Sequence, residues 1–397
     1  MRISQRIQSL SASPIRKLIP YSAAAEARGK KVYHLNIGQP DIATPPQFLE
    51  AVSHYSSNVL SYGDSHGEPC LISAIQRYYH RLGIEYAPSE ITITNGGSEA
   101  LMIALLSLCD PDDELLVLEP YYANYTSFAK IGNIRVNAVS CVTGSNFEFP
   151  GEETIEKHIT PRTKAMLLTN PGNPTGHVYS FDEMNVIAGI VLRHNLTLIA
   201  DEVYREFVYG VPYKSFGAMP ELRDNLVLVD SVSKRFSACG ARIGALLSHS
   251  DEFNRQILKY CQARLCCPKL DQIGAAALYD APQEYLEKVN EEYRRRRDTI
   301  EEELAKIPGV VCSKPLGAFY VKIKMPVDDA EKFAIWLLEH FDCDGETVMF
   351  APGSGFYATP GRGRNEARLA YVLECDKLKR AIKILGEGLK AYPGRTA

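Results

Sequence analysis

Seven short apolar segments, separated by stretches of helical character, run through the chain between about residues 90 and 248. They lack the alternation of apolar and polar residues that a strand with one solvated face shows, so each is expected to be covered on both sides. Apolar strands that alternate with helices predict an α/β fold built on a mostly parallel, seven-stranded sheet flanked by helices. The predicted strands are Ile91–Thr94, Leu115–Leu118, Ile134–Val139, Ala165–Thr169, Thr197–Ala200, Leu226–Val229 and Ile243–Leu247.

The remainder of the chain mixes strands and helices in the manner of a smaller α+β domain. A charged segment of helical periodicity, Glu284–Ile307, follows the last apolar strands and is expected to bridge the two domains. The sequence therefore predicts a large domain over residues 48–284 and a small domain made of 1–47 together with 285–397. Predicted elements of the small domain are the strands Ala318–Ile323, Thr347–Ala351 and Ala367–Val372 and the helices Ala330–His340 and Cys375–Ala391.

The charge and composition of the chain argue against several classes of partner. A net charge of −4 gives no general attraction to nucleic acid or to an anionic membrane. Four consecutive arginines, residues 294–297, are flanked by acidic residues and are interpreted as a solvated helix face. The ten cysteines include no paired C-x-x-C spacing, so neither a metal site nor a disulfide framework is expected. With no signal-like or membrane-length apolar run, the protein is predicted to be cytoplasmic.

A lysine follows the predicted strand Leu226–Val229, in the run Ser231-Val232-Ser233-Lys234, and Arg242 lies eight residues further on. Ligands of open α/β sheets gather at the carboxyl ends of strands, where Ser231 and Lys234 are expected to lie. A partly desolvated lysine beside a second cation is suited to forming a Schiff base, while Arg242 and Ser231 could bind a phosphate. On this run alone, two surface charges on a loop remain an equal alternative.

Polar clusters follow four other predicted strands and should meet at the same edge of the sheet. Gly96, Gly97 and Ser98 precede a predicted helix, Glu99–Leu108, whose first amide groups could bind phosphate. Asp201 is expected to be buried and to need a cationic partner such as a protonated pyridine nitrogen. The remaining candidates are Asn173 and Tyr204, for an oxygen on the same ring, and Tyr122, for stacking on its face.

These motifs, from Leu35-Asn36-Ile37-Gly38-Gln39-Pro40-Asp41 to Arg368, occur in an order and spacing that resemble one family. The chain is similar to pyridoxal-phosphate-dependent aminotransferases of fold type I, class I/II. The resemblance implies pyridoxal 5'-phosphate as cofactor. It also implies transamination between an L-amino acid, acidic or aromatic, and a 2-oxo acid such as 2-oxoglutarate.

The resemblance also implies a role for each candidate residue. Lys234 would carry the cofactor and move the substrate proton, with Asp201 and Tyr204 beside it in the catalytic group. The implied cofactor-binding residues are Gly96, Gly97, Ser98, Tyr122, Asn173, Asp201, Tyr204, Ser231, Lys234 and Arg242, with Tyr62 reaching the phosphate of a neighbouring subunit. Tyr62 thus implies a homodimer with shared active sites. Arg368 would bind the substrate α-carboxylate, helped by Asn173 and the backbone of Gly38.

The identity of the amino donor is left open by the sequence. Some aspartate-using relatives carry a lysine directly after the two glycines of the phosphate loop, and this chain has Ser98 there. We therefore consider Arg264 as the residue that contacts the distal carboxylate of an acidic substrate, against the alternative of a surface or interface arginine.

Two other functions remain as alternatives. A carbon-sulfur β-lyase would use the same lysine on the same scaffold. A serine acyl enzyme is suggested by the formal S-x-x-K pattern of Ser231 and Lys234, but the chain lacks the companion S-D-N and K-T-G motifs.

Overall fold

A computed structural model of the chain describes residues 1–143 and 146–396. We number the strands in chain order. The strands are β1 (Lys31–His34), β2 (Ile91–Thr94), β3 (Glu114–Glu119), β4 (Arg135–Ser140), β5 (Val142–Thr143), β6 (Asn146–Phe147), β7 (Thr163–Thr169), β8 (Thr197–Asp201), β9 (Leu226–Ser231), β10 (Gly244–Leu247), β11 (Val311–Cys312), β12 (Tyr320–Lys324), β13 (Glu346–Met349), β14 (Ala351–Pro352) and β15 (Glu366–Ala370).

Helices connect most of these strands. The helices are α1 (Gln5–Gln8), α2 (Ile19–Ala27), α3 (Gln47–Ser53), α4 (Pro69–Arg81), α5 (Gly96–Leu108), α6 (Asn124–Ile131), α7 (Glu152–Glu156), α8 (Phe181–Arg193), α9 (Val232–Arg235), α10 (Asp251–Arg264), α11 (Lys269–Tyr279), α12 (Gln283–Ala305), α13 (Ala330–His340) and α14 (Cys375–Ala391). None of the helices in the described part of the chain is both long and apolar enough to cross a membrane.

The central sheet has seven strands in the order β2-β10-β9-β8-β7-β3-β4. Strand β10 runs antiparallel to both of its neighbours, and the other pairings within the sheet are parallel. The prediction of an α/β fold with a mostly parallel seven-stranded sheet is confirmed. Each of the seven predicted strands is present, with ends that differ from the prediction by no more than two residues.

The residues of β8 show why these segments carry no polar alternation. Ile199 packs into an apolar cluster on one face of the sheet, together with residues of α5 and α10. Its neighbours Leu198 and Ala200 pack into a different cluster on the other face, with residues of α8. Because helices cover both faces, every side chain of the strand interior needs to be apolar. Polar side chains begin where the strand ends, at Asp201.

A smaller sheet has the order β11-β12-β15-β14, and β1 pairs in parallel with β13 beside it. The segment predicted as one strand, Thr347–Ala351, is two strands in different sheets: β13 pairs with β1, whereas β14 pairs with β15. The chain changes sheets at Phe350, which is fully buried. Strand β12 begins at Tyr320 rather than at Ala318, because Ala318 has a φ of 57°, outside the β region.

The smaller sheet shares an apolar core with a segment that follows β8. This core contains Phe319 and Tyr320 of the small sheet region together with Tyr204 and Phe207. Packing across this junction fixes the position of the loop after β8 relative to β12 and β15. The division into residues 48–284 and 1–47 with 285–397 stays a prediction.

The four arginines of α12 do not all face solvent, so their interpretation as a solvated helix face was half wrong. Arg294 and Arg295 are exposed and pair with glutamates one turn earlier. Arg296 and Arg297, by contrast, are buried. Arg296 donates from Nη1 to Asp41 Oδ1 at 2.6 Å, and therefore ties the helix to the loop after β1.

Candidate active site

A cavity of about 730 Å³ opens at the carboxyl edge of the central sheet. It is bounded by the loops after β8 and β9, the start of α5 and the small sheet. The cavity brings together most of the residues singled out from the sequence. Those that line it are Gly38, Gly97, Ser98, Tyr122, Asn173, Asp201, Tyr204, Ser231, Lys234, Arg242 and Arg368.

One end of this cavity is formed by the first turn of α5 and the side chain of Arg242. Helix α5 begins at Gly96, three residues before the predicted start. Gly96 has a φ of 72°, and a Cβ there would lie 2.6 Å from Nη2 of Arg242. The guanidinium therefore lies directly against the helix start, where free amide groups and the helix dipole favour an anion. Ser231, at the end of β9, completes this end of the cavity and is buried.

Lys234 projects into the middle of the cavity from the short helix α9. Its Nζ donates to the carbonyl oxygen of Gly38 at 2.8 Å and lies 3.9 Å from Sγ of Cys239. Ser231 Oγ instead bonds to the carbonyl of Ile243 at 3.0 Å and to Oγ of Ser233 at 2.8 Å. The serine and the lysine of the S-x-x-K pattern thus have separate partners, and Ser233, to which the sequence assigned no role, supports Ser231.

Asp201 ends β8 on the floor of the cavity and is 4% exposed. Its Oδ2 accepts a hydrogen bond from Oη of Tyr125 at 2.8 Å. No ion pair to Asp201 is formed within the described residues. Burial raises the pKa of its carboxyl to about 6, although the bond from Tyr125 acts in the opposite direction. The sequence did not point to Tyr125, since a single tyrosine in a helix is indistinguishable from core packing.

A second tyrosine that the sequence did not single out, Tyr320, lies between Tyr204 and Gly38. The hydroxyls of Tyr204 and Tyr320 are 2.9 Å apart. A Cβ on Gly38 would lie 1.8 Å from Oη of Tyr320, so only glycine fits there. Burial raises the pKa of Tyr204 well above its ordinary value, which keeps the hydroxyl protonated and able to donate.

Arg368, on β15, closes the opposite end of the cavity and is 1% exposed. Its Nη1 donates to Oδ1 of Asn173 at 3.0 Å, and its Nη2 donates to the carbonyl of Asn36. Its guanidinium also lies 4.3 Å from the centre of the Tyr320 ring. The Nε of Arg368 is buried without a hydrogen-bond partner among the described residues. A buried cation with an unbonded donor is suited to binding a carboxylate.

Three predicted site residues are not among those that line the cavity of this single chain: Gly96, Tyr62 and Arg264. Tyr62 is 79% exposed. Arg264 donates to Oε2 of Glu99 at 3.1 Å and to the carbonyls of Ser65 and Ile93, each at 3.2 Å. Its role toward a distal carboxylate, like that of Tyr62 toward a neighbouring subunit, stays a prediction.

The chain's relationship to known proteins agrees with this arrangement. A model of the family described as aminotransferase class I and II matches residues 30–383. The chain belongs to this family. Pyridoxal phosphate is the cofactor of class I and II aminotransferases, so the chain is a pyridoxal-phosphate-dependent aminotransferase.

Individual relatives cover nearly the whole length of this aminotransferase. It is 30% identical to an aspartate aminotransferase of Bacillus subtilis, over 96% of this chain and 98% of that protein. It resembles the solved alanine aminotransferase from Pyrococcus furiosus with a TM-score of 0.90 at 29% identity, covering 98% of this chain and 100% of that one. The aspartate aminotransferase from Thermus thermophilus with maleate gives a TM-score of 0.89 at 27% identity, covering 98% and 100%. The names of these relatives differ in the amino acid used.

The cavity of this aminotransferase fits pyridoxal phosphate on three separate observations. A helix start and Arg242 lie together where a phosphate would bind, and Gly96 has a φ of 72° there, a conformation that favours glycine. Asp201 is a buried carboxyl without an ion-pair partner among the described residues, as a site for a protonated pyridine nitrogen requires. Between them lies Lys234, the one lysine among the described residues that line the cavity.

Proposed function

We propose that the protein transfers the amino group of an acidic or aromatic L-amino acid to a 2-oxo acid such as 2-oxoglutarate. The proposal rests on the position of Lys234, which lies in one cavity with three other ionisable side chains. These are Arg242, Asp201 and Arg368. A phosphate, a protonated ring nitrogen and a carboxylate are the three charges that such a set would bind.

The residues at the carboxyl edge of the sheet would hold the cofactor in one orientation. Arg242, Ser231 and the first amides of α5, from Gly96 to Ser98, would bind the phosphate. Asp201 would accept a hydrogen bond from the protonated ring nitrogen and form the ion pair that it lacks among the described residues. Tyr204 and Asn173 would contact the ring oxygen, and Tyr122 would stack on the ring.

Lys234 would serve as the base of the reaction. When bound, the cofactor supplies an electron-poor ring that makes the α-proton of a condensed amino acid acidic. Lys234 Nζ would move this proton between the substrate α-carbon and the C4′ carbon of the cofactor. The carbonyl of Gly38, 2.8 Å from Nζ, would orient the amine toward the substrate.

Arg368 would decide which substrate bond reacts. Its two Nη atoms are already held by Asn173 and Asn36, so the guanidinium is fixed before the substrate arrives. Binding the α-carboxylate in one place aligns the α-proton with Lys234 and disfavours loss of the carboxylate. The unbonded Nε of Arg368 is a donor available for this contact.

The proposal includes a cytoplasmic homodimer with shared active sites. Val59, Leu60 and Tyr62 are 68%, 59% and 79% exposed, and form an apolar stretch. A second subunit would cover this stretch and would receive Tyr62 near its phosphate site. Arg264 remains the candidate that would meet a substrate from across this interface.

A panel of amino donors with 2-oxoglutarate tests the proposed activity. We expect glutamate to accumulate with at least one acidic or aromatic donor, and we expect Lys234→Ala to abolish it. Incubation with cystathionine tests the β-lyase alternative, since release of pyruvate without any 2-oxo acid would favour the lyase. Glutamate formation that persists in Lys234→Ala would contradict the role of this lysine.

A further inference from the structure

The turn formed by residues 13–18, which we call the N-terminal strap, crosses one side of the active-site cavity. Pro14 packs so closely on Gly355 that a Cβ on this glycine would lie 2.3 Å from Cβ of the proline. The carbonyl of Ile15 accepts a hydrogen bond from Nδ2 of Asn36 at 2.8 Å. The carbonyl of the same Asn36 holds Nη2 of Arg368. The strap is therefore anchored to the residue that positions the end of the cavity where Arg368 lies.

Arg16 directly follows these anchoring residues and lines the cavity. It is exposed rather than packed. Its positive charge acts on the hydroxyl of Tyr122, another lining residue, and contributes to lowering the pKa of that group against the larger effect of burial. Within residues 1–143 and 146–396, the guanidinium of Arg16 forms neither a salt bridge nor a hydrogen bond.

Among the charged residues that line the cavity, Arg16 is the one cation that has no anion to bind under the proposed function. The basic lining residues are Arg16, Lys234, Arg242 and Arg368, and the acidic one is Asp201. Under the proposed function, Arg242 binds the phosphate, Arg368 binds the α-carboxylate and Lys234 binds the cofactor. One guanidinium therefore faces the substrate space with no partner among the described residues and none on the cofactor.

We propose that Arg16 binds the distal carboxylate of a dicarboxylic substrate, so that the amino donor and acceptor are dicarboxylic amino and 2-oxo acids. This inference rests on the proposed transamination and names its substrate class. Arg16 takes the place of the lysine that this chain lacks at Ser98. Arg264 is less suited to this contact within one chain, because its guanidinium is held by Glu99 and by two backbone carbonyls.

The test compares two unreactive acids of equal carbon number on the cofactor-loaded enzyme. Succinate carries two carboxylates and butyrate carries one, and the binding of each is measured by calorimetry for wild type, Arg16→Ala and Arg16→Lys. We expect Arg16→Ala to weaken succinate binding by about ten- to a hundredfold, the loss typical of a charge-assisted hydrogen-bonded pair, and to leave butyrate binding unchanged. Arg16→Lys should retain part of the affinity, since it keeps the charge but not the planar fork.

A matched control removes an arginine from the same terminal segment that does not line the cavity. Arg6, on α1, contacts Asn133, and Arg6→Ala should bind succinate as wild type does. In the kinetic arm, Arg16→Ala should lower kcat/KM for aspartate but not for alanine. Equal losses for succinate and butyrate, no loss for either, or a selective loss in Arg264→Ala instead, would overturn the inference. Absence of transamination with every donor would refute the proposed function, and succinate binding would still decide the role of Arg16.

Discussion

Two buried aspartates end neighbouring strands of the central sheet, yet their surroundings differ. Asp230, near the end of β9, is fully buried and forms a salt bridge with Arg235. It also accepts from Oη of Tyr79 at 3.1 Å and from the backbone amide of Ser231 at 2.7 Å. Asp201, at the end of β8, has one side-chain donor, Tyr125, and forms no ion pair within the described residues.

The comparison shows that Asp230 is a carboxylate that stabilises the fold, whereas Asp201 is a carboxylate available to a ligand. Asp230 has its charge neutralised by Arg235, and it is not among the residues that line the cavity. Asp201 lines the cavity, forms no ion pair within the described residues, and has its pKa raised to about 6 by burial. The same contrast holds between Arg264, which pairs with Glu99 and bonds to two backbone carbonyls, and Arg16. Ionisable side chains that have no oppositely charged partner among the described residues therefore indicate the functional surface of this fold.

The largest effect should follow from breaking the pair of Asp230 and Arg235. Asp230→Asn leaves a guanidinium buried without a counter-ion, which should lower the free energy of unfolding by about 3–5 kcal/mol. Urea unfolding of the cofactor-free protein measures this change. The double variant Asp230→Asn with Arg235→Met should recover most of the loss, because it removes both charges. If the double variant were as unstable as the single one, the pair would not be the cause.

Arg368 belongs with Asp201, since it retains an unbonded donor for a ligand. Arg368→Ala should lower kcat/KM for every amino donor by roughly a thousandfold, the scale expected when one partner of a buried charge pair is truncated. Arg368→Lys should fall between wild type and the alanine variant, because lysine cannot make the fork. Steady-state kinetics measure both variants, with cofactor content and thermal unfolding as checks on folding. A loss confined to acidic donors would assign Arg368 to the distal carboxylate instead.

Because Asp201 forms no ion pair within the described residues, its ionisation should lower the free energy of unfolding in a pH-dependent way. A carboxyl whose pKa is about 6 when folded and about 3.9 when unfolded binds more protons in the folded state between these values. Stability should therefore fall as pH rises from about 4 to about 6. In the cofactor-free protein, Asp201→Asn should be more stable than wild type by roughly 3 kcal/mol at pH 8, and equal to it near pH 4.

Urea unfolding at the two pH values measures this difference. Asp230→Asn is the matched comparison, since it should be less stable than wild type at pH 8 rather than more. A difference between Asp201→Asn and wild type that did not change with pH would contradict the account.

The smallest effect should come from the hydroxyl of Tyr125. Tyr125→Phe removes the hydrogen bond that favours ionised Asp201, at a cost of about 1 kcal/mol to the carboxylate form. The pH at which cofactor affinity falls should therefore rise. Tyr121→Phe is the control, because Tyr121 stacks on Tyr125 but bonds to Thr126. Fluorescence titration with pyridoxal phosphate across pH measures both, and identical profiles for Tyr125→Phe and wild type would exclude this role.

The central sheet and its edge could be read from the sequence because local patterns determine them. The apolar residues of β8 and β9 predict buried strands, and the carboxyl ends of parallel strands necessarily meet. Asp201 and Lys234 were therefore placed together correctly before their contacts were known. The start of α5 was placed three residues late, because Gly96 and Gly97 are weak helix formers.

Contacts made by distant parts of the chain could not be read in this way. Arg16 meets the cavity through a turn that no periodic pattern marks. Tyr320 lies in an apolar strand, where a tyrosine has the appearance of core packing. One signal was available at Gly38, since a glycine that faces a site often marks a close neighbour, but only the structure identifies that neighbour as Tyr320.

The covalent link between Lys234 and the cofactor tests the account most directly. Borohydride reduction of the purified, cofactor-loaded protein, followed by peptide mass mapping, locates any lysine joined to the cofactor through a Schiff base. We expect one modified peptide, with the added mass on Lys234, and no such peptide from Lys234→Ala. An adduct on a different lysine, or none in protein that contains the cofactor, would contradict it.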